Sequence, residues 1–235
     1  MKLINKVGLE AEFFVKDKDS NLVFPGDHGF STDEYIILGE FRADPGETIE
    51  ECVGNYFKAL TEVLERAARS EKKLSISFGY ETVSPEFKSK ILKKMRTKQI
   101  QDTKNIHGTD ILGYSDDVTD ENGKVIHSKL STGLHVHFSR EATCTWNDKD
   151  NKPHTDKKSI ITKSMMEKII VKMDKEFTPN KLLNVPLKYR HPGFYETKPY
   201  GFEYRSLPMY DHFLDLDNVR DLVRYSFNLL EDLNK

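Results

Sequence analysis

Alternation of apolar and polar residues over short runs predicts five β-strands in this chain, because successive side chains of a strand point to opposite faces. The alternating runs are residues 3–15, 35–42, 74–80, 130–139 and 200–207. Apolar residues spaced three and four positions apart predict four helices. These helices are expected over about 45–69, after Ser84-Pro85, over about 158–177 and over 217–233.

The first helix has the clearest start signal. Asp44 is the expected N-cap, Pro45 takes the first helical position and Glu47 completes a capping box. The buried stripe is expected to consist of Val53, Phe57, Leu60, Leu64 and Ala67. A helix of this length requires a sheet or another helix to cover its apolar stripe.

Two polar stretches separate the regular elements. Residues 115–128 predict an exposed hairpin or loop that turns at Asn122-Gly123. Residues 145–158 predict a polar loop. Periodicity alone leaves open whether the strands form a parallel or an antiparallel sheet.

Composition narrows the class of protein. The chain has 235 residues, 37% hydrophobic and 31% charged, which is typical of one globular domain spanning residues 1–235. The net charge of −2 gives no electrostatic reason to expect a nucleic-acid or membrane partner. We see no apolar run of the roughly 18 residues that would cross a bilayer, and no signal peptide. Cys52 and Cys144 form no recognisable disulfide or metal motif, so a reducing cytoplasm is expected.

Four of the strands carry polar or ionisable residues in pairs, two positions apart and backed by apolar residues. The pairs are Glu10 with Glu12, Glu40 with Arg42, His135 with His137, and Glu203 with Arg205. Two glutamates on one strand face lie about 7 Å apart and repel each other by about 2 kcal/mol at an effective dielectric of about 20. A sheet face bearing these residues would have low stability if no ligand were bound to it.

Two interpretations of the pairs are open. Each strand can simply turn its polar face to water, as strands of a half-exposed sheet do. Alternatively, the faces meet around bound cations, because carboxylates bind Mg²⁺ or Mn²⁺ and imidazole among them favours tolerance of Mn²⁺. The concentration of Glu, His and Arg, rather than Lys, Ser and Thr, favours the second interpretation.

The motifs resemble those of a known superfamily. "GLEAEFF" (8–14) resembles the metal-binding first strand of the glutamine synthetase and glutamate–cysteine ligase superfamily. "GLHVHFS" (133–139) and "FEYRSLP" (202–208) resemble its G-x-H-x-H and E-x-R strands, in the same chain order. "GEFRADPG" (39–46) and "YETKPYGFEYRSLP" (195–208) more closely resemble the short phage-type carboxylate–amine ligases, the amidoligase group.

This resemblance implies an α+β fold like the glutamine synthetase catalytic domain. A curved, mostly antiparallel sheet would carry the four pairs on its concave face and helices on its convex face. The chain leaves no room for the small β-domain with which glutamine synthetase completes its site from a neighbouring subunit. The protein is therefore expected to act as a monomer or a small homo-oligomer, in the host cytoplasm if it is phage-encoded.

The resemblance also implies an activity and a role for each site residue. The activity is ATP- and Mg²⁺-dependent joining of a small-molecule or peptide carboxylate to an amine through an acyl phosphate. Arg205 and Arg42 would hold the γ-phosphate or the acceptor carboxylate. The nucleotide phosphates would meet His137, Lys188, Arg190 and Lys198. The metal ligands would be Glu10, Glu12, Glu40, His135 and Glu203.

Other functions are consistent with the same residues. A metal-dependent hydrolase of amides or phosphate esters would use the same Glu and His ligands to activate water. A viral module that binds nucleotide without catalysis is a third function. Arg205 can also be a structural partner of Glu203, and the basic stretch with Lys188 and Arg190 can be a solvated loop. The sequence does not identify the carboxylate or the amine.

Overall fold

The computed structural model describes residues 2–33, 35–95, 115–147, 149–177 and 192–233. It is an α+β structure, as predicted. Its strands are β1 (Lys2–Lys16), β2 (Leu22–Val23), β3 (Gly39–Arg42), β4 (Ser75–Ser77), β5 (Tyr80–Val83), β6 (Ser115–Thr119), β7 (Val125–Ser131), β8 (Gly133–Asn147), β9 (Pro153–Ser159), β10 (Tyr195–Lys198) and β11 (Gly201–Pro208). Its described α-helices are α1 (Ile49–Ala68), α2 (Pro85–Lys94), α3 (Lys163–Phe177) and α4 (Leu216–Asp232).

The main sheet has eight strands and is built around β1 and β8. Its order is β10-β11-β8-β1-β2, with β3 and β4 also paired to β1 and β9 paired to β8. Every described pair in it is antiparallel, and the sheet is curved and unclosed. The predicted class and the mostly antiparallel sheet are therefore confirmed.

One face of the main sheet is covered by α1, α3 and α4. Alternate residues of the central strands, such as Leu9, Val136 and Phe202, share one apolar core with residues of these helices, such as Leu60 and Val223. All five are at most 4% exposed. Of the predicted stripe on α1, Val53, Leu60 and Ala67 are buried, Phe57 is half-buried, and Leu64 is exposed, against expectation.

The other face of β1 meets a second, smaller core. Phe14 lies on the same side of the strand as Glu10 and Glu12, and it packs among apolar residues that include Leu38 and Ile91. Ile91 belongs to α2, beside a second antiparallel sheet of order β5-β7-β6. This smaller core covers one end of the polar face and shields it from solvent.

The start of the first helix differs from the prediction for a reason of tertiary structure. The first helix begins at Ile49, because Gly46 forms backbone hydrogen bonds with Val7 and keeps the preceding residues extended. Thr48, and not Asp44, is the N-cap, and its hydroxyl accepts a hydrogen bond from the Glu51 N–H. A side chain at Gly46 would meet Cys52 at 2.8 Å or less, so this contact requires glycine.

The remaining differences concern strands. Residues 35–38 form a turn in which Leu38 N–H donates to the Tyr35 carbonyl, so only Gly39–Arg42 pair as a strand. Residues 145–147 and 153–158 are strand and not loop, because β8 runs to Asn147 and β9 pairs back along it from Pro153. The third helix consequently starts at Lys163. The predicted hairpin is confirmed, with β6 and β7 joined by a turn at Gly123 (φ 77°).

Candidate functional site

Strand register brings the four polar pairs onto one face, which is buried except at Arg42 and His137. Glu10 lies opposite Arg42 of β3 on one side and opposite His135 of β8 on the other. Glu203 of β11 lies opposite His137. Because all the strands are antiparallel and in register here, residues far apart in the chain become cross-strand neighbours, as the sequence predicted.

His135 is the centre of this face. Its Nδ1 atom lies 2.9 Å from Glu10 Oε1 and 2.9 Å from Glu203 Oε1. Its Nε2 atom lies 3.4 Å from Glu12 Oε1. The imidazole is fully buried.

Glu10, His137 and Glu203 form a group that could hold a metal ion. One ligand atom from each residue lies within 4.8 Å of the other two. His137 Nε2 is 3.5 Å from Glu10 Oε2. Two carboxylates and one imidazole suit Mg²⁺ or Mn²⁺. This group includes His137, which the sequence assigned to nucleotide phosphate, whereas His135 was the histidine predicted as a metal ligand.

Glu12 and Glu40 extend the acidic face beyond this group. Glu12 is fully buried and its Oε2 accepts a hydrogen bond of 2.7 Å from Gly133 N–H at the start of β8. Glu40 is 6% exposed, and its Oε2 accepts no hydrogen bond from the described residues. A buried carboxylate oxygen without a donor is what a cation-binding site would contain.

The charges on this face are strongly coupled. Burial would raise the pKa values of Glu10 and Glu203. The hydrogen bond and charge of His135 act with those of His137 at Glu10 and with the charge of Arg205 at Glu203, and together they hold both pKa values well below their usual range. Burial and Arg205 lower the pKa of His135, but Glu10 and Glu203 outweigh them and raise it to about 9. Burial and the charge of Glu10 raise the pKa of Glu40 to about 8. Near neutral pH the face therefore retains protons on His135 and Glu40.

Three permanent cations contact the carboxylates. Arg42 Nε lies 2.6 Å from Glu10 Oε2 and 2.7 Å from Glu40 Oε1. Lys198 Nζ lies 3.0 Å from Glu203 Oε2. Arg205 Nη1 lies 2.9 Å from Glu203 Oε1, the structural partnership that the sequence left as its alternative role.

Glu196 links two of these cations and was missed by sequence reasoning. It lies opposite Glu203 on β10, with Oε1 2.9 Å from Lys198 Nζ and Oε2 3.1 Å from Arg205 Nη1. The signal was present, because Glu196 and Lys198 form a fifth pair two positions apart. Burial lowers the pKa of Lys198, but Glu196 and Glu203 raise it by more, so the pKa lies above its usual value.

Tyr200 was also missed. It lies in the tight turn between β10 and β11, and its hydroxyl is 2.6 Å from His137 Nδ1. The next residue, Gly201, has φ 155°, and a Cβ atom there would lie 2.1 Å from the Phe138 carbonyl oxygen. Glycine thus lets this hairpin approach β8 closely enough for Tyr200 to reach His137.

A cavity of about 570 Å³ opens beside the metal-binding group, within the usual range for small-molecule sites. Its lining combines residues of β1 and β8 with residues of the β10–β11 turn and the segment after β3. Its charged and polar lining residues include Lys6, Glu10, Arg42, His137, Lys198 and Tyr200. The predicted phosphate-binding residues Lys188 and Arg190 lie outside the described residues.

No protein-family model, no curated protein and no solved structure matches the chain. Among the described helices, none has the length and apolar character needed to cross a membrane. Evidence about function therefore comes from the molecule itself: the sheet, the buried acidic face and the cavity beside it.

Proposed function

We propose that the protein is an ATP- and Mg²⁺-dependent carboxylate–amine ligase with one glutamine synthetase-like domain. One observation carries the proposal: an antiparallel sheet gathers the Glu10–Glu12, His135–His137 and Glu203–Arg205 pairs on a single buried face. These are the motifs whose order along the chain resembles that superfamily. The cytoplasm, where ATP and reduced thiols are abundant, is the proposed location.

The residues present fit divalent cations. Glu10, His137 and Glu203 would hold one ion, and Glu12, Glu40 and His135 would provide further ligands. The orphaned Oε2 atom of Glu40 supports this fit. When bound, Mg²⁺ or Mn²⁺ would neutralise phosphate oxygens and orient the transferred phosphoryl group.

The chain's own residues would bind and orient the substrates. Lys198 and Arg42 line the cavity and would contact phosphate oxygens or the acceptor carboxylate. Arg205 is held between Glu196 and Glu203, so its guanidinium is fixed in direction for the charge that develops during transfer. The cavity next to His137 would admit the nucleotide.

An ATP-consumption screen tests the proposal. The protein is incubated with Mg²⁺ or Mn²⁺, ATP and pooled carboxylates and amines, and ADP and phosphate are measured. The expected result is turnover that requires both a carboxylate and an amine, and that is abolished in Glu203→Gln. Glu167→Gln, at an exposed residue of α3 paired with Lys163, is the matched control and should retain full turnover.

Two other outcomes would replace the proposal. Metal-dependent cleavage of an amide or phosphate ester without ATP would identify a hydrolase. A rise in melting temperature with Mg²⁺ and ATP, without turnover on any pool, would identify a nucleotide-binding module. The hydrolase has less structural support, because a buried arginine between two glutamates is not needed to activate water.

A further inference from the structure

Two side-chain cations contact the oxygens that a metal ion would need. Arg42 Nε contacts Glu10 Oε2, the oxygen that also lies 3.5 Å from His137 Nε2. Lys198 Nζ contacts Glu203 Oε2. A divalent cation and a side-chain cation that share one carboxylate oxygen repel each other, so each weakens the binding of the other. Metal binding at Glu10 and Glu203 therefore competes with Arg42 and Lys198.

The three cations of the face differ in their freedom to move. The Arg42 side chain is 71% exposed and the Lys198 side chain is 26% exposed, whereas Arg205 is 7% exposed. Arg42 and Lys198 also line the cavity, and Arg205 does not. A displaced Arg42 or Lys198 would therefore remain at the cavity, whereas Arg205 is fixed by burial.

The destination of the displaced cations decides which ligand is favoured. A free divalent cation would take the carboxylates from Arg42 and Lys198 and leave both cations without an anion. A cation that carries a polyphosphate would bring new anionic oxygens to the same cavity. Arg42 and Lys198 would then exchange a carboxylate for a phosphate oxygen. This exchange would offset the free-energy cost of separating them from the carboxylates.

We propose that Arg42 and Lys198 are exchangeable counter-cations that make the site select a metal–polyphosphate complex over the free metal ion. The inference rests on the metal centre of the proposed function and adds the residues that set its ligand preference. The preference is a coupling between two ligands, so it is measured as the ratio of two affinities.

The test compares two probes. Unbound Mn²⁺ is quantified by electron paramagnetic resonance, and binding of the preformed Mn²⁺–tripolyphosphate complex is measured by calorimetry. A partly exposed ion pair has only a small interaction free energy. Lys198→Gln and Arg42→Gln should therefore each bind free Mn²⁺ about threefold to tenfold more tightly than wild type. In each variant, the ratio of the affinity for the Mn²⁺–tripolyphosphate complex to the affinity for free Mn²⁺ should fall by a similar factor.

Matched controls distinguish this effect from a change in overall charge. Lys16 is 23% exposed and pairs with Glu81, and Arg69 is 78% exposed and pairs with Glu65. Lys16→Gln and Arg69→Gln should leave both affinities unchanged. Lys198→Arg keeps a cation at the site and should bind free Mn²⁺ as weakly as wild type, which also guards against a folding defect in Lys198→Gln.

The outcomes are distinct from those of the ligase proposal. Free Mn²⁺ binding that is equal or weaker in Lys198→Gln and Arg42→Gln would overturn the inference, because the cations would then support the metal site. Absence of Mn²⁺ binding in every variant would overturn it too. Tighter Mn²⁺ binding in the variants without amine-dependent ATP consumption would leave the inference standing and refute the ligase.

Discussion

Two buried charged regions of this protein are built on opposite principles. In the smaller one, Lys88 of α2 is 7% exposed, and its Nζ lies 2.5 Å from Asp117 Oδ1, which also accepts a hydrogen bond from the Ser128 hydroxyl. Among the described residues, one cation there meets one carboxylate. On the large face, five described carboxylates meet three described permanent cations. The carboxylates are Glu10, Glu12, Glu40, Glu196 and Glu203, and the cations are Arg42, Lys198 and Arg205.

The difference teaches what each region is for. A balanced pair needs nothing further and links α2 to β6 within the smaller core. Among the residues that the structure describes, the large face holds two more carboxylates than permanent cations, a surplus that protons or bound cations would offset. A protein retains such an arrangement at the expense of stability, which is typical of a binding site.

The largest effect is expected for Arg205→Lys, because Arg205 is the fixed cation of the unbalanced face. Lysine keeps the charge but loses the planar fork, so single-turnover phosphate release should fall about tenfold to a thousandfold. ATP affinity should change far less, because in the proposed site other cations and the metal ions would still hold the nucleotide. Phosphate release and ATP affinity are measured with a carboxylate substrate that the ATP-consumption screen identifies. Arg220→Lys on α4 is the control. Loss of affinity with an unchanged chemical step would make Arg205 a ground-state anchor, and no change in either would make its partnership with Glu203 purely structural.

The pH dependence of stability sharpens the comparison next. In chelator, His135 has a folded pKa of about 9, above its unfolded value, so its stabilisation is complete below about pH 6.5 and is lost as pH rises through 9. The raised pKa of Glu40, about 8, acts in the same direction. Urea unfolding should therefore show a loss on the order of 3 kcal/mol between pH 6.5 and 9, by the shift of His135 alone. Saturating Mn²⁺ should reduce this loss, and a pH-independent stability would contradict the assigned charges.

Glu12→Gln tests whether the surplus carboxylates serve cations. A glutamine has nearly the same shape and can still accept the hydrogen bond from Gly133 N–H, so the fold should persist. Metal and ATP at a hundredfold excess over their dissociation constant stabilise a protein by about 2.7 kcal/mol, and the variant should lose most of this gain. Thermal unfolding with and without Mg²⁺ and ATP measures it, with Glu121→Gln at the exposed hairpin turn as control. An undiminished gain would remove Glu12 from the site.

The balanced pair gives the opposite expectation. Lys88→Met leaves Asp117 without its cation, and since Asp117 is 31% exposed the loss should be about 1–3 kcal/mol. The loss should be the same in chelator and in Mn²⁺, because this region is closed on itself. Lys90→Met, at an exposed position of α2, is the control. A loss that depends on metal would show that the two regions are coupled.

The contrast between long and short strands explains how far sequence reasoning reached. Apolar and polar residues alternate along the long strands β1 and β8, so the sequence alone predicts which residues share a face. It placed Glu10 with Glu12, and His135 with His137. Glu196 and Lys198 form a pair two positions apart, but the four-residue β10 is too short for its periodicity to be recognised, and Glu196 was therefore missed. Tyr200 was missed because it lies in the turn after β10, where no strand alternation applies.

Elements determined by contacts distant in sequence were also misplaced. The polar edge strand β9 has the composition of a loop, and the start of α1 depends on the pairing of Gly46 with Val7. The grouping of His137 with Glu10 and Glu203 as a candidate metal-binding set follows from cross-strand distances that no single strand encodes.

The smallest effect is expected for Tyr200→Phe, which leaves every charge of the unbalanced face in place. The Tyr200 hydroxyl contacts His137 Nδ1, so it fixes the imidazole with Nε2 towards Glu10. Partners of this kind change metal affinity by about tenfold to a hundredfold when removed, and the exposure of Tyr200 favours the lower figure. Tyr195→Phe is a matched control in the same hairpin, because the Tyr195 ring packs edge-on against Phe202. Mn²⁺ affinity should therefore fall in Tyr200→Phe and stay constant in Tyr195→Phe, while urea unfolding in chelator stays alike for both. Equal Mn²⁺ affinity in the two variants would mean that His137 is oriented by its strand alone, and the cluster would then owe its geometry entirely to β-sheet register.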